Sequence, residues 1–224
     1  MILLYSGGMD SYIAWEYLKR PKTIYFDLGH RYAAFEKQAI MRTIRTTRID
    51  HSLKLGQFEK DDADIPMRNA FMIMVASMYD KEIVLVVQKG EMTIPDRSPH
   101  FFLTFAAWLN WMKDDWGYTL KSPFFDMTKT QMVKWYVDQG LSVDQLVKTR
   151  SCFSSDDFAC GACGACFRRW VALRNNNIVE VHTHNMLDWD QIPVYIEKMK
   201  AGKYDKVRTE ETFRALKEAG YNNG

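Results

Sequence analysis

The sequence contains no long apolar segment, and this absence argues against a membrane protein. Its longest unbroken hydrophobic run, residues 70–76, has seven members, whereas a helix that crosses a bilayer needs roughly 20. The N-terminus passes straight into Ile2, Leu3 and Leu4 and lacks the basic segment and longer apolar stretch of a secretory signal. We therefore expect no membrane partner and a cytoplasmic location.

The chain also lacks an excess of either charge. Thirty basic residues nearly balance 28 acidic residues, which leaves a formal net charge of +2. Electrostatics alone therefore predicts no direct nucleic-acid partner, and the balance suits a small-molecule substrate. Hydrophobic residues make up 47% of the chain and charged residues 26%, which excludes a disordered protein and indicates a globular one.

Short β-type runs alternate with helical patterns in the first half of the 224 residues. This alternation predicts a doubly wound α/β fold with a mainly parallel sheet. The helix at 69–80 is apolar nearly all round, which predicts burial, and the aromatic density of 101–113 favours a core helix over a surface that meets another subunit. The predicted strands are 2–5, 23–28, 49–55, 83–88 and 118–120, and the predicted helices are 11–19, 33–45, 69–80, 101–113, 128–138, 190–200 and one after Thr209.

Residues 6–11 read Ser-Gly-Gly-Met-Asp-Ser and lie between the first predicted strand and the first predicted helix. Glycines allow backbone N–H groups to approach an anion closely, and a helix N-terminus adds its positive dipole. The hydroxyls of Ser6 and Ser11 can donate to the same anion. The spacing matches neither G-x-x-x-x-G-K-[ST] nor G-x-G-x-x-G. The segment predicts a different kind of phosphate loop, with an ordinary Gly-Gly turn as the alternative.

Only four cysteines are present, and all lie within residues 152–166, although a disulfide framework would spread them. Their spacing is C-x7-C-x2-C-x2-C. Four thiolates can complete the tetrahedral shell of a structural Zn²⁺ ion. An iron–sulfur cluster is the rival, but its usual pattern places the fourth cysteine downstream and before a proline. We predict zinc ligands at Cys152, Cys160, Cys163 and Cys166, rather than four unligated thiols.

These motifs resemble those of known nucleotide enzymes. The loop at 6–11 resembles the pyrophosphate loop of the ATP pyrophosphatase (PP-loop) superfamily, whose members split ATP into AMP and pyrophosphate to activate a carbonyl or carboxylate oxygen. The following segments resemble, in order, those of the 7-cyano-7-deazaguanine synthase family. They are Tyr-Phe-Asp-Leu-Gly-His-Arg through Glu36, Pro-Met-Arg-Asn at 66–69, Pro-Asp at 95–96, Ser-Pro through Thr-Lys-Thr at 122–130, and the cysteine loop with Arg169.

The resemblance covers about residues 1–173 and implies a fold and an activity. The fold would be adenine nucleotide alpha hydrolase-like, with a PP-loop ATP-binding α/β domain at 1–148 and a zinc loop with a helical region packed on it at 149–224. The activity would be an ATP-dependent ligase of queuosine biosynthesis that converts 7-carboxy-7-deazaguanine and ammonia to 7-cyano-7-deazaguanine through adenylated intermediates. Mg²⁺ would neutralise the departing pyrophosphate, and the family tends to form homodimers.

The resemblance also implies roles for individual residues. The expected catalytic residues are Asp10 and Lys129. Asp10 would order the loop or contact Mg²⁺, and Lys129 would contact phosphate. The alternative for Lys129 is a solvated lysine without a role. The end of the second strand, at Asp27, is where open α/β sheets bind ligands. The expected ATP-binding residues are Tyr5, Ser6, Gly7, Gly8, Met9, Asp10, Ser11 and Asp27. The expected substrate-binding residues are His30, Arg31, Arg68, Asn69, Asp96 and Arg97, with a turn histidine and a helix cap as alternatives for His30 and Asn69.

The chain departs from the family pattern in three places. Gln-Lys-Gly-Glu-Met-Thr at 88–93 replaces two family segments, Arg97 and Ser98 replace a Cys-Arg pair, and the region after about Asn175 exceeds the usual family ending. A second hypothesis is therefore an enzyme that activates a deazaguanine acid for transfer to DNA or protein. Two others are a noncatalytic zinc-stabilised nucleotide-binding protein and a tRNA-thiolating iron–sulfur enzyme, although thiolation would require a further reactive cysteine.

Overall fold

The computed structural model describes residues 1–154 and 158–221. Five strands in these residues form one sheet in the order β3-β2-β1-β4-β5, and every neighbouring pair is parallel. The chain builds outward from β1 to β3 and then returns to the other side of β1, which confirms the predicted doubly wound α/β fold. The strands are β1 Ile2–Leu4, β2 Lys22–Phe26, β3 Arg48–Asp50, β4 Glu82–Val84 and β5 Thr119–Lys121.

Helices follow the strands and cover both faces of the sheet. Ser98 caps the fourth helix by accepting from the N–H of Phe101, and Thr128 forms a capping box with Gln131 at the fifth. Asp205 caps the last helix, which therefore begins earlier than the expected Thr209. The helices are α1 Met9–Tyr17, α2 Ala33–Thr43, α3 Arg68–Ala76, α4 Pro99–Lys113, α5 Lys129–Asp138, α6 Val143–Val147, α7 Gly164–Arg174, α8 Ile192–Lys200 and α9 Lys206–Glu218.

Alternate residues of the strands enter two hydrophobic cores. Leu3 of β1 points to one face, where it joins side chains of α1 and α5 such as Ile13 and Val133. Leu4 points to the other face and joins Ile73 of α3. Because both faces are buried, the strands read as continuous apolar runs. A third core surrounds the cysteines and is built from Phe167, Met186, Ile192, Ile196, Ala215 and Leu216.

Two predicted strands end early for local reasons. The strand predicted at 49–55 stops at Asp50, whose carboxylate accepts from the N–H of Ser52 at 2.9 Å and turns the chain. The strand predicted at 83–88 stops at Val84. Beyond it, Val87 N donates 3.0 Å to the hydroxyl of Ser122 instead of continuing the ladder.

Two helices are less buried than the sequence predicts. In α3, Asn69, Ile73 and Ala76 are buried and the other six residues are half-buried, so the predicted burial is only partial. In α4, Leu103 and Trp111 are 74% and 71% exposed, so the expectation of a core helix is wrong for that face. Within the described ranges, no helix combines the length and apolar character needed to span a bilayer.

Candidate active site and metal centre

A cleft of about 270 Å³ opens at the carboxyl ends of β1, β2 and β4. Successive strands are added on one side of β1 up to β3 and on its other side from β4 onward. Open α/β sheets bind ligands at the point where this direction changes. The structure brings eight of the predicted site residues to its lining: Tyr5, Ser6, Asp10, Ser11, His30, Arg68, Asn69 and Arg97. Sequence reasoning assigned no site role to several further lining residues, among them Tyr25, Tyr32, Glu36, Glu91 and Phe153.

The loop at residues 6–11 folds into a tight turn before α1. Gly7 has a φ of +72°, and a Cβ there would lie 2.9 Å from the backbone oxygen of Glu36. Gly8 N donates to Ser6 Oγ at 3.3 Å, and Ser11 Oγ donates to Gly8 O at 3.1 Å. Gly8 is the N-cap of α1 and offers no side-chain cap. The first turn of α1 therefore presents backbone N–H groups to an anion.

Tyr5 precedes this loop and Met9 lies within it, and the side chains of both belong to the core. The Tyr5 hydroxyl shares a 2.5 Å hydrogen bond with Thr43 of α2. Burial raises the pKa of Tyr5 above its ordinary value. Of these two predicted ATP-binding residues, Tyr5 lines the cleft and Met9 does not, and both side chains anchor the loop in the core.

Asp10 and Lys129 form an ion pair through Asp10 Oδ2. Lys129 is the first residue of α5, so the pair joins the loop to the start of that helix. The other carboxylate oxygen, Asp10 Oδ1, is buried and has no hydrogen-bond partner among the described residues. A carboxylate oxygen is a ligand that Mg²⁺ accepts, so the site fits such an ion.

His30, Tyr25 and Glu36 form a buried hydrogen-bonded group beside the loop. Glu36 Oε2 lies 3.0 Å from His30 Nε2 and accepts from the Tyr25 hydroxyl at 2.9 Å. Burial and then the Glu36 charge raise the pKa of Tyr25, which therefore stays a neutral donor. His30 also packs edge-on against Tyr32, with ring centroids 4.3 Å apart.

The remaining substrate candidates divide between the cleft and its surroundings. Asn69 Nδ2 donates 2.9 Å to Asp96 Oδ2, which ties the start of α3 to the turn at Pro95–Arg97. Arg97 Nη1 pairs with Glu91 Oε1 at 3.0 Å. Asp96 therefore reaches the cleft through Asn69, while Arg97 and Glu91 line it directly.

The structure does not bring Asp27 or Arg31 to the cleft lining. Asp27 pairs with Lys37 Nζ at 2.6 Å and accepts from Gly29 N. Burial raises the pKa of Asp27, but the hydrogen bonds from Lys37 and Gly29 together with the charges of Lys37 and His51 outweigh it, and the pKa falls below its ordinary value. Arg31 turns outward and pairs with Glu59 at 2.8 Å.

The four cysteines form one cluster. Their Sγ atoms all lie within 4.8 Å of one another, and those of Cys160 and Cys166 are 3.9 Å apart. A tetrahedral Zn²⁺ ion with ligands at about 2.3 Å would separate its sulfurs by about 3.8 Å. Backbone N–H groups of Ser154 and Ala162 each donate 3.3 Å to a cysteine sulfur, which favours thiolates. The predicted cysteines therefore fit a closed tetrahedral metal site.

A glycine allows the cysteine loop to close. Gly161 has a φ of +74°, and a Cβ there would lie 2.2 Å from the backbone oxygen of His184. The segment at 183–184 packs against the loop through two hydrogen bonds of 3.0 Å, Thr183 N to Ala159 O and His184 N to Cys160 O. No side chain larger than hydrogen fits this contact without displacing backbone.

The cysteine loop and the phosphate loop touch. Arg150 N donates 2.9 Å to Gly7 O just ahead of the first cysteine. Below the loop, Arg169 is buried and pairs with Glu180 at 2.7 Å while donating to Thr149 Oγ1 at 2.6 Å. These contacts fix the cysteine loop against the end of the sheet that carries residues 6–11.

The match to a family model decides the family. The model described as queuosine biosynthesis protein QueC matches residues 56–177, which is more than half of the chain. This chain belongs to the QueC family. The matched segment of this QueC chain contains Lys129 and all four cysteines.

Individual relatives of the QueC chain carry one name. A 7-cyano-7-deazaguanine synthase from Desulfotalea psychrophila is 28% identical over 215 residues, which cover 80% of this chain and 96% of the relative. Another from Methanospirillum hungatei is 30% identical over 124 residues, covering 52% and 55%. A third from Pseudoalteromonas translucida is 23% identical, covering 80% and 96%. The expected family is confirmed, as is the expectation of an enzyme of queuosine biosynthesis.

Proposed function

We propose that this protein is a 7-cyano-7-deazaguanine synthase that joins 7-carboxy-7-deazaguanine and ammonia at the expense of ATP. The observation that carries the proposal is a cleft lined both by residues of the phosphate loop and by basic and hydrogen-bonding side chains, in a chain of the QueC family. The names of the relatives support the choice of substrate.

The reaction must remove an oxygen atom from the substrate twice, and oxygen is a poor leaving group until it is adenylated. A carboxylate oxygen of the substrate attacks the α-phosphorus of ATP and expels pyrophosphate, and ammonia then displaces AMP and loses a proton to give the amide. The amide oxygen attacks a second ATP and again expels pyrophosphate. Loss of AMP and two protons from this adduct leaves the nitrile. Each round therefore needs a site that stabilises departing pyrophosphate.

The phosphate loop suits that task. The hydroxyls of Ser6 and Ser11 and the first-turn N–H groups of α1 would donate to the pyrophosphate oxygens. Lys129 adds a positive charge that its pair with Asp10 holds in place. Mg²⁺, bound at Asp10 Oδ1, would supply further charge neutralisation on phosphate.

We assign Arg68 to the carboxylate of the substrate. Arg68 lines the cleft and forms no salt bridge within residues 1–154 and 158–221, and a guanidinium can bind a carboxylate through two parallel hydrogen bonds. Glu91 and Glu36 are the acceptors available for the N–H groups of a guanine-like ring. Arg97 holds Glu91 in position through their ion pair.

We further propose that the cysteine site holds Zn²⁺ in a structural role. Four thiolates leave no open position for a substrate, so the ion would supply stability and no reactive group. Residues 149–224 would then act as a zinc-stabilised unit packed on the ATP-binding domain at 1–148. ATP and four reduced cysteines both suit a cytoplasmic location.

A homodimer completes the proposal. The exposed apolar face of α4, formed by Leu103, Trp108, Trp111 and Met112, is the surface that we assign to the second copy. Two large exposed side chains one helical turn apart, such as Trp108 and Trp111, are uncommon on a monomer surface.

The deciding experiment incubates the protein with ATP, ammonia and 7-carboxy-7-deazaguanine and identifies the product by mass. We expect the nitrile in the wild type, a large loss in Asp10→Asn, and no change in Asp138→Asn, whose carboxylate is exposed in a pair with Lys134. Release of AMP without nitrile would overturn the proposal. That result would instead favour transfer of the activated acid to DNA or protein, which the Arg97–Glu91 pair in the altered substrate segment makes worth testing.

A further inference from the structure

A second, smaller pocket lies between the start of α5 and the helices α7, α8 and α9, with a volume of about 30 Å³. We call it the tail pocket. Its lining includes four basic side chains and one carboxylate, that of Glu211. The basic residues are Lys89, Lys129, Arg168 and Arg208.

Among the described residues, Lys129 pairs with Asp10, and the other three cations form no salt bridge. Neither Arg168 nor Arg208 forms a salt bridge in the part of the chain that the structure describes. Arg168 Nη1 donates weakly to the Tyr195 hydroxyl at 3.4 Å, and the Arg208 guanidinium lies 4.6 Å from the ring centroid of Tyr204. Glu211 is engaged with Thr128 Oγ1 at 2.7 Å. The pocket therefore carries surplus positive charge.

The two guanidinium groups also act on each other. Burial, followed by the charge of Arg168, lowers the pKa of Arg208 below its usual range. Like charges held together and partly removed from water are costly unless an anion lies between them. An anionic ligand would relieve this repulsion.

A buried side-chain amide, that of Gln88, also lines the tail pocket. Gln88 lines it, its side chain is only 6% exposed, and its Oε1 has no hydrogen-bond partner among the described residues. A buried polar atom without a partner is uncommon because it loses its hydration without compensation. An amide can present either Nε2–H or Oε1, so it suits the oxygens or the proton of a phosphate.

The tail pocket adjoins the active-site cleft through Lys129. This side chain lines the tail pocket and pairs with Asp10, which lines the cleft. The volume holds about two waters, enough for two oxygens of a phosphoryl group but not for a nucleoside. We propose that the tail pocket binds phosphate groups of ATP or of the pyrophosphate released from it, with Arg168 and Arg208 as the ligating residues.

The proposal rests on the proposed function, because cleavage of ATP supplies the pyrophosphate. It gives the region after Asn175 a role in the reaction, since α9 contributes Arg208. The phosphate loop at one end of the sequence and the last helix at the other would then hold the same polyphosphate.

Calorimetric titration of the zinc-loaded full chain with magnesium pyrophosphate tests the inference. Arg208→Gln and Arg168→Gln should each weaken pyrophosphate binding by about tenfold or more, and Arg208→Lys should recover part of the loss. Lys206→Gln is the matched control, because Lys206 lies on the same helix and its side chain is 90% exposed. It should bind as the wild type does.

A parallel titration with a non-hydrolysable ATP analogue separates two sources of the phosphate. Loss of affinity for both ligands means that the pocket holds phosphates of bound ATP, and loss for pyrophosphate alone means that it holds the product. Equal pyrophosphate affinity in Arg208→Gln, Arg168→Gln and Lys206→Gln would overturn the proposal. Melting temperature and zinc content check folding, and Arg168→Gln decides if Arg208→Gln does not fold. The assay needs no turnover, so a wild type that makes no nitrile would refute the proposed function alone.

Discussion

Replacing Gly161 by alanine should destabilise the protein well beyond the usual cost of a glycine substitution. The new Cβ would lie 2.2 Å from the backbone oxygen of His184, so either the cysteine loop or the segment at 183–184 must move. Gly202→Ala is the matched control. Its φ of +69° is close to the +74° of Gly161, and nothing lies within 4 Å of the added carbon.

The two substitutions separate backbone strain from steric contact. An alanine with positive φ costs about 1–2 kcal/mol, and this cost is common to both variants. In Gly161→Ala the displaced segment also loses one or both of the hydrogen bonds Thr183 N to Ala159 O and His184 N to Cys160 O, each worth about 0.5–1.5 kcal/mol. We therefore expect Gly161→Ala to lower the free energy of unfolding by about 2–4 kcal/mol and Gly202→Ala by about 1–2 kcal/mol.

Thermal denaturation of the zinc-loaded protein measures this difference. For a domain of this size, about 2–4 °C of melting temperature corresponds to 1 kcal/mol, so Gly161→Ala should melt roughly 5–15 °C below the wild type. It should also lose zinc to a competing chelator faster than Gly202→Ala does. Equal melting temperatures for the two variants would refute the assignment of close packing at Gly161.

Three further outcomes follow from the structure. Cys160→Ser should bind less zinc and melt at lower temperature, and a chelator should destabilise the wild type but not this variant if the cysteines hold the ion. Burial raises the pKa of Glu180, but His182 and Arg169 lower it below the ordinary value. The ionised Glu180 carboxylate therefore stabilises the fold fully above the pKa of an unfolded glutamate, about 4.3. This stabilisation is lost as pH falls through the lower pKa of Glu180 in the folded protein. Melting curves from pH 3 to 6 should show this loss, and Glu180→Gln should flatten it; an unchanged slope would contradict the role of the pair. Trp111→Lys should convert a dimer to a monomer in light scattering, whereas a monomeric wild type would remove the dimer proposal.

The architecture was largely readable from the sequence, because strands buried on both faces leave uninterrupted apolar runs such as Ile2–Leu4. Strand ends were less readable. The side chains of Asp50 and Ser122 replace ladder hydrogen bonds after β3 and β4, and these contacts depend on local geometry rather than on hydrophobicity. The exposure of one face of α4 was not predicted, because this helix has apolar residues on more than one face and the sequence does not show which face packs on the sheet.

The candidate site was predicted where a motif is contiguous and missed where it is assembled in space. Residues 6–11 and the four cysteines each form a compact spacing that predicts a bound ion. Glu36 joins His30 and Tyr25 only because α2 folds back over the end of β2. The place of Arg208 in the tail pocket could not be predicted for the same reason, because Lys89 and Lys129, which line the same pocket, are more than 70 positions away in the sequence.

The sheet order has a consequence for synthesis of the chain on the ribosome. Of the five strands of the sheet, β1 is made first and becomes the central one, and its neighbour β4 begins only at Glu82. Until then β1 presents an open edge, which is a site for pairing with other nascent chains. The phosphate loop is completed later still, because the hydrogen bond that Gly7 O accepts comes from Arg150 N, which is translated after β4. The phosphate loop is therefore among the last segments to reach its finished conformation, although it is translated well before Arg150.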